Sequence, residues 1–375
     1  METYLEINLE NLKKNVKNLK SLLKAETKFL AVVKSNAYGH GLVECAQAAS
    51  QAGANWFGVV YLEEAMSLRK AGIVKPILII KSVSALEARQ AANQDISVPI
   101  ISLSQAHEIA DIAFDKPLKV HLKIDTGLNR LGMENSEIEE AVKVLKSNTN
   151  IIIEGIYSHL ASVEEGDMDY TDFQIKNFRD SIKIVEGLGY KDLIKHLAAT
   201  SGTLLKPEAH FDMVRCGIGL YGLWPSADNK EAFGKDDFLF PVMNYKTSID
   251  QIKEVKAGEK IGYGCGYETE KDMTIGIIPV GYYEGIDRGL GDMGKVLVGG
   301  VRCPIIGRVC MNLAIIDISN LNPKSEYRNP NNIEVTIMGK DGQEEITADE
   351  LADLLGTINY EVVTRIPECV ERKFV

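Results

Sequence analysis

Residues 31–41 read AVVKSNAYGHG, and the first three of them continue an apolar run that includes Leu30. Short apolar runs rich in β-branched residues are typical of buried strands in parallel sheets. The run ends at Lys34, and small and turn-forming residues follow it at once. An unpartnered ammonium group is costly to bury, so a lysine in this place tends to lose its proton. The segment therefore predicts a buried strand that ends on a lysine.

Two interpretations of Lys34 follow from this segment. A neutral amine at the end of a strand can bind the aldehyde group of a cofactor covalently. Tyr38 lies four residues further on, and Gly39 and Gly41 would let the backbone approach a ligand closely. Alternatively, Lys34 extends its apolar stem over the surface beside an ordinary turn between a strand and a helix. The segment by itself leaves both interpretations open.

The sequence on both sides of this stretch alternates short apolar runs with amphipathic helical patterns. Eight predicted strands lie at residues 30–33, 56–60, 76–80, 97–101, 119–124, 151–157, 194–197 and 213–217. Helical patterns lie at residues 42–52, 62–71, 84–93, 104–113, 136–146 and 172–188. This α/β pattern predicts an N-terminal (β/α)₈ TIM-type barrel, although a doubly wound sheet with extra strands also fits it.

Polar residues that carry chemistry follow the ends of these predicted strands. Lys34, Lys123, His159, Ser201 and Arg215 all stand at or just after such an end. Functional residues of a barrel gather at the carboxyl ends of its strands, so this placement favours the barrel.

The pattern changes after Gly222. Residues 224–238 are polar and irregular and are predicted to be a linker. Short β-rich runs then follow at residues 245–255, 274–280, 295–298, 302–309, 314–318 and 334–337, with one helix at 347–355. We therefore predict a barrel domain of residues 8–238, entered through a helix at 8–24, and a mostly antiparallel β-domain of residues 239–375. Residues 1–7 are predicted to add a strand to the second domain.

Charge and cysteine spacing exclude several classes of function. The net charge of -11 over 375 residues argues against a nucleic-acid or anionic-membrane partner. No apolar run is long enough to cross a bilayer, and the acidic start lacks the features of a signal peptide, so a cytoplasmic protein is expected. The six cysteines show no paired short spacing, which argues against a zinc site or a disulfide framework.

Seven segments resemble, in order, the motifs of the alanine racemases, which are fold-type III enzymes dependent on pyridoxal 5'-phosphate (PLP). They are AVVKSNAYGHG at residues 31–41, LKIDTGLNRLG at 122–132, YSH at 157–159, VRCGIGLYG at 214–222, IGYG at 261–264, GRVCM at 307–311 and NYEV at 359–362. The resemblance implies the barrel and β-domain arrangement, PLP as the cofactor, and a homodimer.

The resemblance also implies a two-base mechanism. Lys34 would hold PLP and then act as one base, and Tyr263 would be the other. In the family this tyrosine comes from the partner subunit, as does the amide of Met311, so the active sites would be shared. Arg215 would face the pyridine nitrogen and leave it unprotonated, and His159 would link Arg215 to Tyr263.

Further residues are assigned to ligand binding by the same resemblance. Five would hold the phosphate: Tyr38, Ser201, Gly217, Ile218 and Tyr360. Arg130 would contact the phenolic oxygen of the cofactor and the substrate carboxylate, which Met311 would also meet. Lys123 matches a lysine that is carbamylated in several family members. Without a carbamate it would be a strand lysine with an acidic partner, and both interpretations stay open.

Two departures from the family pattern bear on specificity. The family's Cys-Met-Asp ends here in Asn312, and its Asn-Ser-Ala reads Thr200-Ser201-Gly202. Some segments also resemble serine/alanine racemase domains, although this chain keeps Tyr360 where a smaller polar residue favours serine. The expected activity is interconversion of L- and D-alanine. The alternatives are a racemase of serine or of broader specificity, a fold-type III decarboxylase, and a PLP-binding protein without catalysis.

Overall fold

The computed structural model describes residues 3–321 and 333–375. Two units account for them. The barrel unit comprises Glu10–Ala37 and Gly41–Phe240, and the β unit comprises the described parts of Met1–Leu9, Tyr38–His40 and Pro241–Val375. Among the described residues, no helix has both the length and the hydropathy that crossing a membrane requires.

Eight parallel strands close into a barrel, which confirms the predicted fold. In chain order they are Lys28–Val32, Trp56–Val59, Ile77–Ile79, Ile96–Ile100, Leu118–Lys123, Ile151–Tyr157, Ile194–His196 and Met213–Cys216. The last strand pairs in parallel with the first, with Lys28 opposite Met213. An open doubly wound sheet has no such closing pair, so that alternative is excluded.

Helices lie between and beside these strands. They are Leu9–Ser21, Leu42–Gln51, Leu62–Lys70, Ala85–Asn93, Leu103–Ala110, Asn135–Lys146, Met168–Gly187, Thr200–Leu205 and Ala227–Phe233. The predicted helices at 42–52, 62–71, 84–93, 104–113, 136–146 and 172–188 are all present with shifted ends. Ser84 shows how the sequence sets such an end, because its hydroxyl accepts the amide of Glu87 while the Glu87 carboxylate accepts the Ser84 amide.

The prediction of an irregular linker at residues 224–238 is wrong. This segment contains the helix Ala227–Phe233 and a short 3₁₀ turn, Asp236–Phe238. Ser226 begins the helix by accepting the amide of Asn229 at 3.1 Å, and Gly234 ends it in the left-handed conformation. A helix of 7 residues is too short to show the periodicity by which helices are recognised.

The β unit is mostly antiparallel, as predicted. One sheet has the strand order Val301–Pro304, Lys295–Val298, Glu334–Asp341, Met243–Ser248, Tyr4–Ile7 and Glu371–Phe374, with Glu344–Ile346 beside Glu334–Asp341. A second sheet contains Gln251–Val255, Met273–Ile278 and Ala314–Asp317, and a third contains Lys260–Ile261 and Tyr267–Glu268.

The N-terminal strand predicted at residues 1–7 is present as Tyr4–Ile7, while Met1 and Glu2 lie outside the described residues. It pairs in parallel with Glu371–Phe374, a strand that the sequence pattern did not reveal. The predicted helix at 347–355 is present as Ala348–Leu355, and the helix Asn359–Thr364 was missed.

Gly155 is a point inside the barrel where a side chain has no room. A Cβ atom there would lie 2.3 Å from Nδ1 of His121 and 2.8 Å from the carbonyl oxygen of Ile194. Backbone cannot yield as a flexible side chain does, so Gly155→Ala forces the strand and the imidazole apart. We expect it to lower the free energy of unfolding by about 1–3 kcal/mol.

Urea unfolding of the variant beside Gly187→Ala tests this expectation. Gly187 ends the helix Met168–Gly187 and has open space where a Cβ would stand. The control should therefore change stability by less than about 1 kcal/mol, in either direction. Equal midpoints for the two variants would contradict the tight packing at Gly155.

Candidate active site

Lys34 begins a strained turn directly after the first barrel strand. The next four residues, Ser35, Asn36, Ala37 and Tyr38, have φ values of 55°, 52°, 54° and 53°, which is a left-handed helical turn. Such a turn costs roughly 1–2 kcal/mol per L-residue. Side-chain hydrogen bonds help to hold it: the Ser35 amide donates to Glu64 Oε1 at 2.5 Å, and Asn36 Oδ1 accepts the amide of Leu42 at 2.8 Å. Strain that the surroundings enforce in this way is concentrated at functional sites.

The surroundings of Lys34 favour the unprotonated form of its amine. Burial lowers its pKa, the positive charge of Arg130 lowers it further, and Glu64 opposes them. A lowered pKa increases the fraction of unprotonated amine, which is the form that attacks an aldehyde.

Arg215 is 5% exposed and lies on the last barrel strand. Its Nη2 donates to the carbonyl oxygens of Ser158 at 2.7 Å and Leu197 at 3.0 Å. Nη2 also lies 3.1 Å from Nδ1 of His159, and Nη1 lies 3.1 Å from Nδ1 of His196. Because a guanidinium only donates, both imidazoles accept at Nδ1. Burial lowers the pKa of Arg215 to about 10, which still leaves it charged at neutral pH.

Four cations surround His159. Burial holds its pKa well below the usual range, and the charges of Arg215, Lys123, Arg130 and Lys34 act in the same direction. The imidazole is therefore neutral, which agrees with its role as an acceptor from Arg215. Residues predicted from separate motifs thus come together at one end of the barrel, and the concentration of positive charge suits an anionic ligand.

Lys123 lies within this cluster and is 7% exposed. Its Nζ stands 4.7 Å from the centre of the Tyr157 ring. Burial, followed by the charges of Arg215 and Arg130, lowers the pKa of Lys123 to about 7, against the opposing charge of Asp125.

Two of the groups predicted to hold a phosphate, the amide of Gly217 and the hydroxyl of Ser201, already have hydrogen-bond partners. Thr200 Oγ1 accepts the amide of Gly217 at 3.1 Å, and the hydroxyl of Ser201 donates to Glu164 Oε1 at 3.1 Å. Ile218 begins the 3₁₀ turn Ile218–Tyr221, next to Gly217 in the chain. The Thr200 hydroxyl therefore organises the backbone of this turn at the position where the family pattern has asparagine.

The remaining predicted residues lie in the β unit. The rings of Tyr38 and Tyr360 have centres 6.3 Å apart and are inclined by 50°. Tyr263 is 70% exposed and Met311 is 54% exposed. Tyr263 lies in a turn in which Gly262, Gly264 and Cys265 have positive φ values. Its side chain projects from the surface of the single chain.

Comparisons with known proteins agree along the whole chain. Residues 7–225 match the N-terminal domain family of alanine racemase, and residues 242–374 match its C-terminal domain family. The chain is 39% identical to the alanine racemase of Leptospira interrogans, over 99% of this chain and 95% of that protein. The chain belongs to the alanine racemase family.

Other members show the same agreement. The alanine racemase of Methanococcus maripaludis is 38% identical, over 99% of this chain and 98% of that protein. The crystal structure of alanine racemase from Bacillus anthracis with bound L-Ala-P has a TM-score of 0.92 at 33% identity, covering 100% of this chain and 95% of that one. The alanine racemase structure from E. faecalis has a TM-score of 0.91 at 34% identity, with 100% and 98% covered.

Asn312, where this chain departs from the alanine racemase pattern, has a structural partner. Its Nδ2 donates to Oε1 of Glu284 at 2.6 Å, while Oε2 of Glu284 accepts the amide of Gly281 at 2.9 Å. An aspartate at position 312 would set a carboxylate against a carboxylate. The amide therefore fits this neighbour, whatever it does to substrate preference.

Sequence reasoning missed three polar residues that a series of hydrogen bonds links to Arg215: His121, Glu154 and His196. Both histidines are fully buried, and Glu154 is partly buried. The available signal was a polar residue inside each of three apolar strands, since such residues are costly to bury without partners.

Proposed function

We propose that this protein is a PLP-dependent racemase that interconverts L- and D-alanine. The observation that carries the proposal is the convergence of Lys34, Lys123, Arg130 and Arg215 around a neutral His159. A phosphorylated cofactor with a phenolic oxygen, together with a substrate carboxylate, is the class of ligand that such a donor set fits. The lowered pKa of Lys34 suits the covalent attachment of an aldehyde.

Different residues of the protein move the proton on the two faces of the substrate. Bound PLP supplies an electron sink that makes the α-proton of an attached amino acid removable. Lys34 Nζ takes or returns the proton on one face, and the hydroxyl of Tyr263 from a second copy of the chain does so on the other. Arg215 would keep its own proton while facing the pyridine nitrogen of bound PLP, and so would limit how far negative charge spreads into the ring. His159, which accepts from Arg215, holds the guanidinium in place.

The phosphate is proposed to bind Tyr38, Ser201, Tyr360 and the amides of Gly217 and Ile218. For Ser201 this requires its hydroxyl to turn from Glu164 to the phosphate, because one hydroxyl hydrogen serves one acceptor. Arg130 and Met311 are proposed to contact the substrate carboxylate.

Racemisation and cofactor attachment test the function together. The protein loaded with PLP should convert either enantiomer of alanine to the racemate, followed by chiral chromatography, and faster than it converts serine. Borohydride should fix the cofactor to the peptide that contains Lys34, and Lys34→Ala should lose both properties. Lys70→Ala, at an exposed lysine of the same unit, should keep both. Label on another lysine, or serine turning over faster than alanine, would contradict the proposal.

The exposure of Tyr263 predicts that two chains share each active site. A base in proton transfer needs shielding from water, and Tyr263 is 70% exposed in the single chain. Lys34→Ala and Tyr263→Phe should each be almost inactive alone. After subunit exchange, about a quarter of the sites should be intact, because half of the dimers are mixed and each has one complete site.

Activity after mixing, with exchange verified by mass spectrometry, measures this recovery. The matched control mixes Lys34→Ala with the double variant Lys34→Ala/Tyr263→Phe, which leaves no intact site in any dimer. Recovery that does not exceed this control would mean that both bases come from one chain.

Lys123 is proposed to be carbamylated. Its neutral Nζ would attack CO₂, forming an N–C bond and releasing one proton, and a pKa of about 7 makes the neutral amine available at pH 8. The resulting anion would stand near Arg215 and Arg130 and reverse the sign of the charge that they now face. In ¹³C-bicarbonate, a carbamate resonance should appear in the wild-type protein and disappear in Lys123→Ala.

The control for Lys123 is Lys119→Ala, on the same strand, where Nζ pairs with Asp95 at 2.7 Å. That variant should keep the resonance. If the wild-type protein shows no carbamate signal while Lys119→Ala and Lys123→Ala behave alike, Lys123 is an amine whose charge Asp125 offsets.

A further inference from the structure

A line of hydrogen-bonded polar side chains runs through the barrel interior behind Arg215. Nη1 of Arg215 lies 3.1 Å from Nδ1 of His196, and Nε2 of His196 lies 2.8 Å from Nδ1 of His121. Nε2 of His121 lies 3.2 Å from Oε2 of Glu154, which also accepts the hydroxyl of Ser97 at 2.7 Å. These five residues come from five different barrel strands, and we call them the barrel relay.

The direction of every hydrogen bond in the barrel relay follows from its first member. Arg215 only donates, so His196 accepts at Nδ1 and keeps its proton on Nε2. His196 therefore donates to Nδ1 of His121, which keeps its own proton on Nε2 and donates to Glu154. The chain of donors runs from a guanidinium cation to a carboxylate, with two imidazoles between them.

The charge states agree with this direction. Burial, then the positive charge of Arg215, holds the pKa of His196 well below its usual range, so the ring is neutral. Burial acts to raise the pKa of Glu154, but its interaction with His121, the hydrogen bond from Ser97 and the charge of Lys119 together outweigh burial and lower that pKa. The carboxylate is therefore ionised at neutral pH.

Packing holds the two imidazole rings in the orientations that the relay needs. The ring of Tyr157 stacks on His196 with centres 4.8 Å apart and planes 5° apart. The ring of Trp56 meets His121 edge-on at 5.6 Å, and Gly155 leaves the space that His121 occupies. The rings therefore cannot turn freely to other partners.

Arg215 needs such support because no described carboxylate forms an ion pair with it. Within the described residues, its hydrogen-bond partners are two carbonyl oxygens and two neutral imidazoles. A buried charge without a counter-ion is costly, and polarised hydrogen bonds in series strengthen one another. A carboxylate at the far end of the relay can thus compensate a charge that it does not touch.

We propose that Glu154 is a positioning residue that acts as the remote counter-ion of Arg215 through His121 and His196. It keeps Nη1 of Arg215 directed towards His196. It also weakens the tendency of the guanidinium to donate hydrogen bonds to other acceptors, including those of a bound ligand. The relay exists in the protein without a ligand, whereas its effect on catalysis rests on the proposed racemase function.

Histidine ¹⁵N NMR of the unliganded protein tests the relay directly. Both His121 and His196 should show the pattern of a neutral ring protonated at Nε2. Glu154→Gln keeps the size of the side chain and an oxygen acceptor but removes the charge, so the ¹⁵N signals of His196 should move although the two residues are not in contact. Glu139→Gln makes the same change at an exposed helix position and should leave these signals unchanged.

Kinetics of the PLP-loaded enzyme test the consequence. Glu154→Gln should lower kcat by roughly tenfold, a coupling of the size seen within hydrogen-bond networks, with KM changed less than about twofold. The absorbance band of the bound cofactor should shift as well, since Arg215 then donates differently. Ser97→Ala, which removes a single hydrogen bond to Glu154, should show smaller changes in the same direction and serves if Glu154→Gln does not fold.

The outcomes separate the relay from the proposed function. If His196 signals, kcat and absorbance in Glu154→Gln and Ser97→Ala match those of Glu139→Gln, Glu154 does not act on Arg215 and the proposal is overturned. Shifted His196 signals without a change in kcat or absorbance would also overturn the positioning role. Shifted signals in a protein that racemises no amino acid would support the relay and refute the proposed function instead.

Discussion

The charge of Arg215, buried where the barrel closes, is the constraint on which the rest of the site depends. The guanidinium is 5% exposed and is surrounded by acceptors that the barrel strands present at their ends. Two neutral imidazoles complete its surroundings, since burial, and then the charge of Arg215, lowers the pKa of each. A second cation in the same region, Lys123, reaches a pKa of about 7 for the same reasons. Burial and the charge of Arg215 together thus set the protonation of its neighbours.

This arrangement is unfavourable in isolation and favourable around an anion. Lys34, Lys123 and Arg130 add to the positive potential of Arg215. The turn after Lys34 holds four consecutive residues in the left-handed conformation. Both features cost free energy of folding that contacts elsewhere must offset. A ligand that brings negative charge recovers part of that free energy on binding, and it stabilises the folded state by mass action. The closed barrel makes this possible because its parallel strands hold the charged groups on a rigid framework.

A second constraint concerns exposed residues of the β unit. Tyr263, Met311 and Asn312 all lie at exposed positions, although the family resemblance assigns them to the active site or its entrance. Asn312 is held by Glu284, so at least this departure from the family pattern is matched by its neighbour. In the shared sites that we propose, a second copy of the chain would cover these positions.

The sequence by itself determined the eight strands alternating with helices, the β-rich second unit and the placement of Lys34, Lys123, His159 and Arg215 after strand ends, which favoured a barrel over an open sheet. These features depend on local periodicity and on the rule that strand ends share one face of a barrel. Only the tertiary structure revealed the barrel relay, in which His121 and His196 are 75 residues apart in the chain. It also revealed the strand Glu371–Phe374, which exists through its pairing with Tyr4–Ile7, and the helix Ala227–Phe233, whose ends are set by single capping residues. The physical reason is that desolvation, charge repulsion and hydrogen bonding depend on distances between residues remote in sequence, and those distances exist only once the barrel has closed.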